Sequence, residues 1–219
     1  MTIEFIGKSL LITEDNERVL IVSDLHMGYG QSLREGGVML PTKLYENSLK
    51  EFEEIFRSIG NVEKVIILGD LKHEMGSILK EEWSEVLGLM DYLKNSCGKL
   101  VVIKGNHDIF TRSITEKRGV QVVDFYIWKG YCFLHGDRDF KEIYSEEINC
   151  WVLGHAHPAI SLNDGAKSEK YKCFLLGNYK GKKIIILPSW FSVNEGTDVK
   201  ILGKVANLGL AWNFNLDKF

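Results

Sequence analysis

Apolar residues recur along this chain in two patterns: short unbroken runs, and longer stretches spaced by three and four. Residues 3–6 and 10–13 are strand-like, and the polar turn Glu14-Asp15-Asn16-Glu17 leads into the wholly apolar run Val19-Leu20-Ile21-Val22. This predicts a β-meander whose last strand is buried on both faces. Pro41-Thr42 introduces a segment in which Leu44, Tyr45, Leu49, Phe52, Ile55, Phe56 and Ile59 fall at helical spacing, and Gly60-Asn61 stops it. Residues 65–68 are the next apolar run. A second amphipathic stretch carries Trp83, Val86, Leu87, Met90 and Leu93 on one face, directed to the core, and stops near Gly98. The run at 100–103 completes a βαβαβ half.

The second half changes character. Residues 120–123, 125–128, 131–134, 151–153, 159–162, 171–176, 183–187, 199–202 and 208–214 read as strands with little helix between them. So many strands do not fit one flat sheet. The expected class is α/β: a four-layer α-β-β-α sandwich of two mixed sheets with helices outside. With three prolines and no long Ser/Gly/Pro linker, residues 1–219 read as one domain.

Composition narrows the setting. A net charge of −3 does not advertise a polyanionic partner. No apolar run approaches the roughly 18–20 residues of a membrane helix, and the first residues lack the pattern of a signal peptide. A cytoplasmic protein without a membrane partner is expected. Cys97, Cys132, Cys150 and Cys173 show no close pairing, which argues against a structural zinc site, and Cys132 and Cys150 read as small core residues.

The chemistry gathers where apolar runs end. Asp24 follows Ile21-Val22, Asp70 follows Ile66-Ile67-Leu68, and Asn106 follows Val101-Val102-Ile103. His135 follows Phe133-Leu134, and His155 follows Val152-Leu153. Parallel strands present ligands beyond their carboxyl ends, so imidazole and carboxylate collected there predict a divalent metal site. Gly69, Gly105 and Gly154 stand immediately before three of these residues, where a close backbone approach is expected.

The ordered blocks Asp24-Leu25-His26, Gly69-Asp70, Gly105-Asn106-His107-Asp108, His135-Gly136 and Gly154-His155-Ala156-His157 resemble those of the calcineurin-like metallophosphoesterases. The turn Leu25-His26-Met27-Gly28 and the block Gly69-Asp70-Leu71-Lys72-His73 look most like a prokaryotic subgroup of archaeal phosphoesterases and DNA-ligase-associated bacterial proteins. The resemblance implies two divalent metal ions, manganese by family habit, with iron or zinc as alternatives. Asp24, His26 and His157 would hold one metal; Asn106, His135 and His155 the other; Asp70 would bridge them. It implies hydrolysis of a phosphate ester, most readily a diester, by a metal-bridging hydroxide. His107 would face the leaving group as general acid, with Asp108 orienting it.

Other residues leave alternatives open. His73 stands where many relatives carry an acidic residue, and reads either as a group facing substrate or supporting the site, or as a polar loop residue. Asn106 could also touch substrate. Lys72 reads as a surface or cleft-edge charge. Arg34, Arg112 and Arg138 read as solvated residues that could instead reach a phosphate, Arg138 the most favoured because it follows His135-Gly136-Asp137. The segment 29–41 reads as a loop beside the site, and Trp190-Phe191 as a buried corner.

Three functions compete: a phosphodiesterase of small substrates such as nucleotides, a nuclease with DNA-repair partners, and a scaffold that keeps the fold without catalysis. The intact ligand set favours catalysis. The acidic balance counts against the nuclease, while ligase association in part of the subgroup counts for it.

Overall fold

The unbroken apolar runs become strands with two buried faces. The protein was analysed as a computed structural model that describes residues 1–38, 43–165 and 167–202. Strands β1 (Thr2–Ile6), β2 (Ser9–Glu14), β3 (Glu17–Val22), β4 (Val62–Ile67), β5 (Cys97–Ile103) and β6 (Gln121–Val123) lie side by side in chain order. The first three are antiparallel, and β3 to β6 run parallel. Asp15 and Asn16, both at positive φ, make the two-residue turn between β2 and β3. Among the described residues, the α-helices of this half are α1 (Tyr29–Glu35), α2 (Leu44–Ile59), α3 (Lys80–Ser96) and α4 (Thr111–Thr115).

The second half adds β7 (Phe125–Trp128), β8 (Tyr131–Leu134), β9 (Cys150–Leu153), β10 (Pro158–Asn163), β11 (Ser168–Lys172), β12 (Leu175–Tyr179), β13 (Lys182–Ile186), β14 (Thr197–Asp198) and the single turn α5 (Val199–Leu202). Five of these strands form a mixed sheet in the order β12-β13-β9-β8-β7, and a small third sheet has the order β11-β10-β14.

Period-two alternation divides the strands between cores. Val19, Ile21, Ile66, Leu68, Val101 and Ile103 face Tyr131, Phe133, Val152 and Ile185 across the two main sheets. Their neighbours Leu20, Val22, Val65, Ile67 and Val102 face the other way, onto Phe52 and Phe56 of α2 and Val86, Leu89, Met90 and Leu93 of α3. The outer face of the second sheet, with Leu134, Trp151 and Ile186, is covered thinly by Ile143, Ile148 and Val199 of α5. The result is the α/β fold of two facing mixed sheets with helices outside.

Several local expectations change. Residues 171–176 do not form one strand: Tyr171 and Lys172 close β11, whereas Leu175 begins β12 in another sheet, and Cys173 N bonds Pro158 O between them. Residues 199–202 form a helical turn, since a four-residue run with three apolar positions fits one helical turn as well as a strand. The run 208–214 and Pro41-Thr42 lie outside the described residues. Trp83 packs at the edge of the helical core and is only partly buried, while Leu89 takes a central place. Cys132 and Cys150 are buried, unpaired core residues. Among the described residues no helix is long and apolar enough to cross a membrane.

Burial separates core from ribbon energetically. Ile66 is fully buried between the sheets, whereas Leu162 on β10 is 54% exposed. Ile66→Ala is expected to lower unfolding free energy by about 2–5 kcal/mol, and Leu162→Ala by less than about 0.5 kcal/mol. Urea denaturation of the two variants checks the contrast.

Candidate metal centre

The parallel ladder does not stop at the strand ends. Leu68 N bonds Val22 O, Asp24 N bonds Gly69 O, His26 N bonds Asp70 O and Met27 N bonds Leu71 O, so the loops after β3 and β4 zip together. From the second sheet, Gly154 N bonds His135 O at 2.9 Å. The segment after β13 crosses back: Trp190 N bonds Ser23 O at 2.8 Å, and Phe191 N bonds Asp24 O at 3.1 Å. Both sheets therefore place their carboxyl-end loops at one spot.

The backbone there is strained. Nine non-glycine residues among those described have positive φ, and five are Asp24, His26, Asp70, His155 and His157. The other four, Asp15, Asn16, Lys129 and Lys180, sit in tight turns between strands. Left-handed backbone at non-glycine residues costs energy, and it concentrates at functional sites. Glycines allow the close packing: a Cβ on Gly105 would stand 2.2 Å from Asp70 Oδ1, and one on Gly154 would stand 1.8 Å from Ser23 Oγ.

Two buried carboxylates lie at the centre. Asp24 Oδ1 stands 3.1 Å from His157 Nε2 and 3.8 Å from His135 Nδ1, while Ser23 Oγ donates to Asp24 Oδ2 at 2.5 Å. Asp70 faces His26 Nε2 at 3.8 Å, His135 Nε2 at 3.5 Å and His107 Nε2 at 4.0 Å. His135 Nε2 also lies 3.1 Å from both Asn106 Oδ1 and His155 Nδ1.

Burial opposes an ionised Asp24, but His157 and His135 outweigh it and hold the carboxyl at about 2. Burial opposes ionised Asp70 too, yet His135, His26 and His107 bring it far below the usual carboxylate range. Burial disfavours a charge on His135, whereas Asp70 and Asp24 push it up to about 10. His26 goes the other way, held at about 3 chiefly by burial. Such a site demands positive charge between its carboxylates.

The donor set fits divalent cations. Asp24, His26, Asp70 and His157 each bring one ligand atom within 4.8 Å of the others, as do Asp70, His135 and His155. Buried His26 Nδ1 makes no hydrogen bond, leaving lone-pair or donor capacity unused inside the site. The structure thus brings together every residue the sequence nominated as a metal ligand.

The remaining candidates divide. His73 and His107 line an open cleft of about 360 Å³ with His26, His157, Tyr29, Phe191, Val193 and Asn194. His107 Nδ1 meets the backbone carbonyl of His73. Asp108 does not take the orienting role expected of it. Its carboxylate accepts from Gly105 N at 2.9 Å, Thr111 Oγ1 at 2.7 Å and Leu71 N at 3.1 Å, which fastens the loop to its neighbours. Burial, then Asp70, pushes its pKa up.

Lys72 is fully buried rather than a surface charge, with its ammonium bound to the carbonyls of Glu74 and Ser77. Arg138 pairs with Asp124 at 2.9 Å and with Asp137 at 3.4 Å, outside the cleft-lining set. Arg34 pairs with Glu81 on the surface, and Arg112 is exposed on α4.

The segment read as a loop contains α1, whose seven residues carry too few apolar positions to show helical spacing. Tyr29 opens that helix, and its ring packs edge-on against His73 and Phe191, at 4.5 and 4.6 Å. Trp190-Phe191 is the buried corner expected, with Trp190 stacked on Phe52 at 4.1 Å. Phe191 carries no local signal as a site residue, because its place depends on the crossing segment.

Residues 17–208 match the family described as calcineurin-like phosphoesterase. The chain belongs to that family. Its members are metal-dependent hydrolases of phosphate esters, and the buried Asp/His groups supply the ligands such an activity needs. The fold is also that of nuclease MPE from Pseudomonas putida, with TM-score 0.61 and 19% identity over 87% of this chain and 90% of that one. YfcE, a phosphoesterase from E. coli, matches at TM-score 0.40 and 14% identity over 78% of this chain and 79% of its own. Among curated proteins no significant sequence match was found.

The corner beside Asp24 is held by a half-buried lysine. Lys172 Nζ donates to Ser189 O at 2.8 Å and to Phe191 O. Burial, then Lys8, lowers its pKa to about 8, below the roughly 10.4 of a free lysine. The unfolded chain therefore binds more protons between these values, so this residue's contribution to stability improves as pH rises through that window. Relative to Lys172→Met, the native chain should gain stability from about pH 8 to about pH 10 in denaturation curves. A constant difference would count against a half-buried ammonium.

Proposed function

We propose that this family member is a phosphodiesterase working with two divalent cations, manganese being the first to test. The observation that carries this is Asp70, which belongs to both groups of ligand atoms and is the natural bridge between them. Asp24, His26 and His157 complete one site; Asn106, His135 and His155 complete the other. Cations held there supply Lewis acidity toward the phosphoryl oxygens and toward an attacking water.

The chain's own residues do the rest. His135 Nδ1 is bound to Leu68 O at 2.6 Å; with the proton on that nitrogen, Nε2 is bare toward Asp70 and Asn106. His107 lies at the cleft with Nε2 near Asp70, placed to give a proton to the departing oxygen. His73 lines the same cleft, and burial together with His107 lowers its pKa, which favours a neutral ring. The cleft lining holds imidazoles, aromatic rings and the Asn194 amide, with neither arginine nor lysine. That lining suits a singly charged diester better than a dianionic monoester, whose second charge calls for a cation. Tyr29, Phe191 and Val193 form an apolar wall for the organic part of the ester.

A nuclease is the second reading. Ile109 and Phe110 are exposed immediately after Asp108, offering bases a surface to stack on. The Pseudomonas putida protein of the same fold carries the name nuclease. A non-catalytic scaffold is disfavoured by the complete ligand set. The whole of residues 1–219 is proposed to act as one domain.

Chelated protein should regain activity on a nitrophenyl phosphodiester with manganese, with two ions per chain by elemental analysis, and Asp70→Asn should hold fewer. His107→Ala should lose about 10²–10⁴-fold on a diester with an alkyl leaving group. No metal-dependent turnover, with His107→Ala unchanged, would falsify the enzymatic reading. Single-stranded DNA cleaved in preference to nucleotide diesters, with steep salt dependence, would select the nuclease.

A further inference from the structure

We propose that Glu82, a buried residue in the first turn of α3, is a positioning residue for His107 that acts through one peptide group. The idea rests on the general-acid reading of His107 given above.

Glu82 and Lys72 are both fully buried, with Lys72 Nζ 4.0 Å from Glu82 Oε2. The two carboxylate oxygens divide their work. Oε2 accepts from Leu79 N at 3.2 Å, an ordinary helix-capping bond. Oε1 accepts from Glu74 N at 2.8 Å and from His73 N at 2.9 Å. The N–H of Glu74 and the carbonyl of His73 are two ends of one planar peptide unit. That carbonyl is the one bound to His107 Nδ1.

A continuous path therefore runs from carboxylate to peptide to imidazole. A charge bound at the N–H end polarises the peptide and strengthens its carbonyl as an acceptor. The accepted proton sits on His107 Nδ1, which fixes the ring's tautomer and leaves Nε2 to face Asp70 and the cleft. Asp108, the nearest carboxylate in sequence, is committed to Gly105, Leu71 and Thr111, and does not take this part. Lys72 balances the buried charge and, through the carbonyls of Glu74 and Ser77, holds the loop that carries the peptide.

The test compares Glu82→Gln with the native chain on diesters bearing alkyl and nitrophenyl leaving groups. A helix cap alone would affect both alike. Positioning of the acid predicts a fall in kcat of about 10²-fold for the alkyl ester, the scale of ångström-level misplacement, with less than about threefold for the nitrophenyl ester, which needs no acid, and KM unchanged.

In chelator-treated protein, ring ¹⁵N signals should report the Nδ1–H tautomer of His107, and mixed tautomers in Glu82→Gln. Equal losses on both esters in Glu82→Gln, or an unchanged ring signature, would overturn the proposal. If Glu82→Gln fails to fold, the hydrogen-bond coupling from Glu74 N to the Glu82 carboxylate carbon in the native chain decides, and its absence overturns the relay. Equal losses on both esters in His107→Ala would instead remove the general-acid reading itself.

Discussion

Two carboxylates, Asp24 and Asp70, are buried at the ends of neighbouring parallel strands, and the rest of the site answers to the cost of keeping them ionised. An unpaired buried charge costs several kcal/mol. The compensation comes from imidazoles on both sheets: His26 and His107 from the first, His135 and His157 from the second. Neither sheet satisfies the pair alone. Inter-sheet packing, strained loop backbone and glycine cradles follow from holding these groups at fixed distances.

The fold was largely legible because its strands are buried on both faces. A run such as Val19-Leu20-Ile21-Val22 has one comfortable environment, between two apolar layers. The candidate ligands were legible for a related reason, since five of the seven follow such a run and His26 and His157 stand two residues beyond Asp24 and His155. What a single run could not reveal was pairing. Residues 171–176 look continuous but straddle two sheets, and 199–202 is too short for its period to be read.

Side-chain partners were less legible than positions. Lysine is almost always exposed, so Lys72 read as a surface charge; its burial depends on Glu82, ten positions onward, and on carbonyls of a loop with no pattern of its own. Asp108 read as the partner of His107 because it is adjacent. Adjacent residues on a turn point to different neighbours, and its carboxylate closes contacts with Gly105 and Leu71 instead. Phe191 reaches the cleft only because the chain crosses back from the second sheet.

That crossing has a kinetic meaning. Ser189 Oγ bonds Asp24 O across 165 positions of the chain, and contacts this distant must offset the entropy of closing a long loop, which slows folding. The ligand set therefore cannot exist on the first sheet alone. A chain still lacking its second sheet carries both acids with half their counterparts. The cluster is thereby incomplete until the segments carrying His135, His155 and His157 have joined the first sheet.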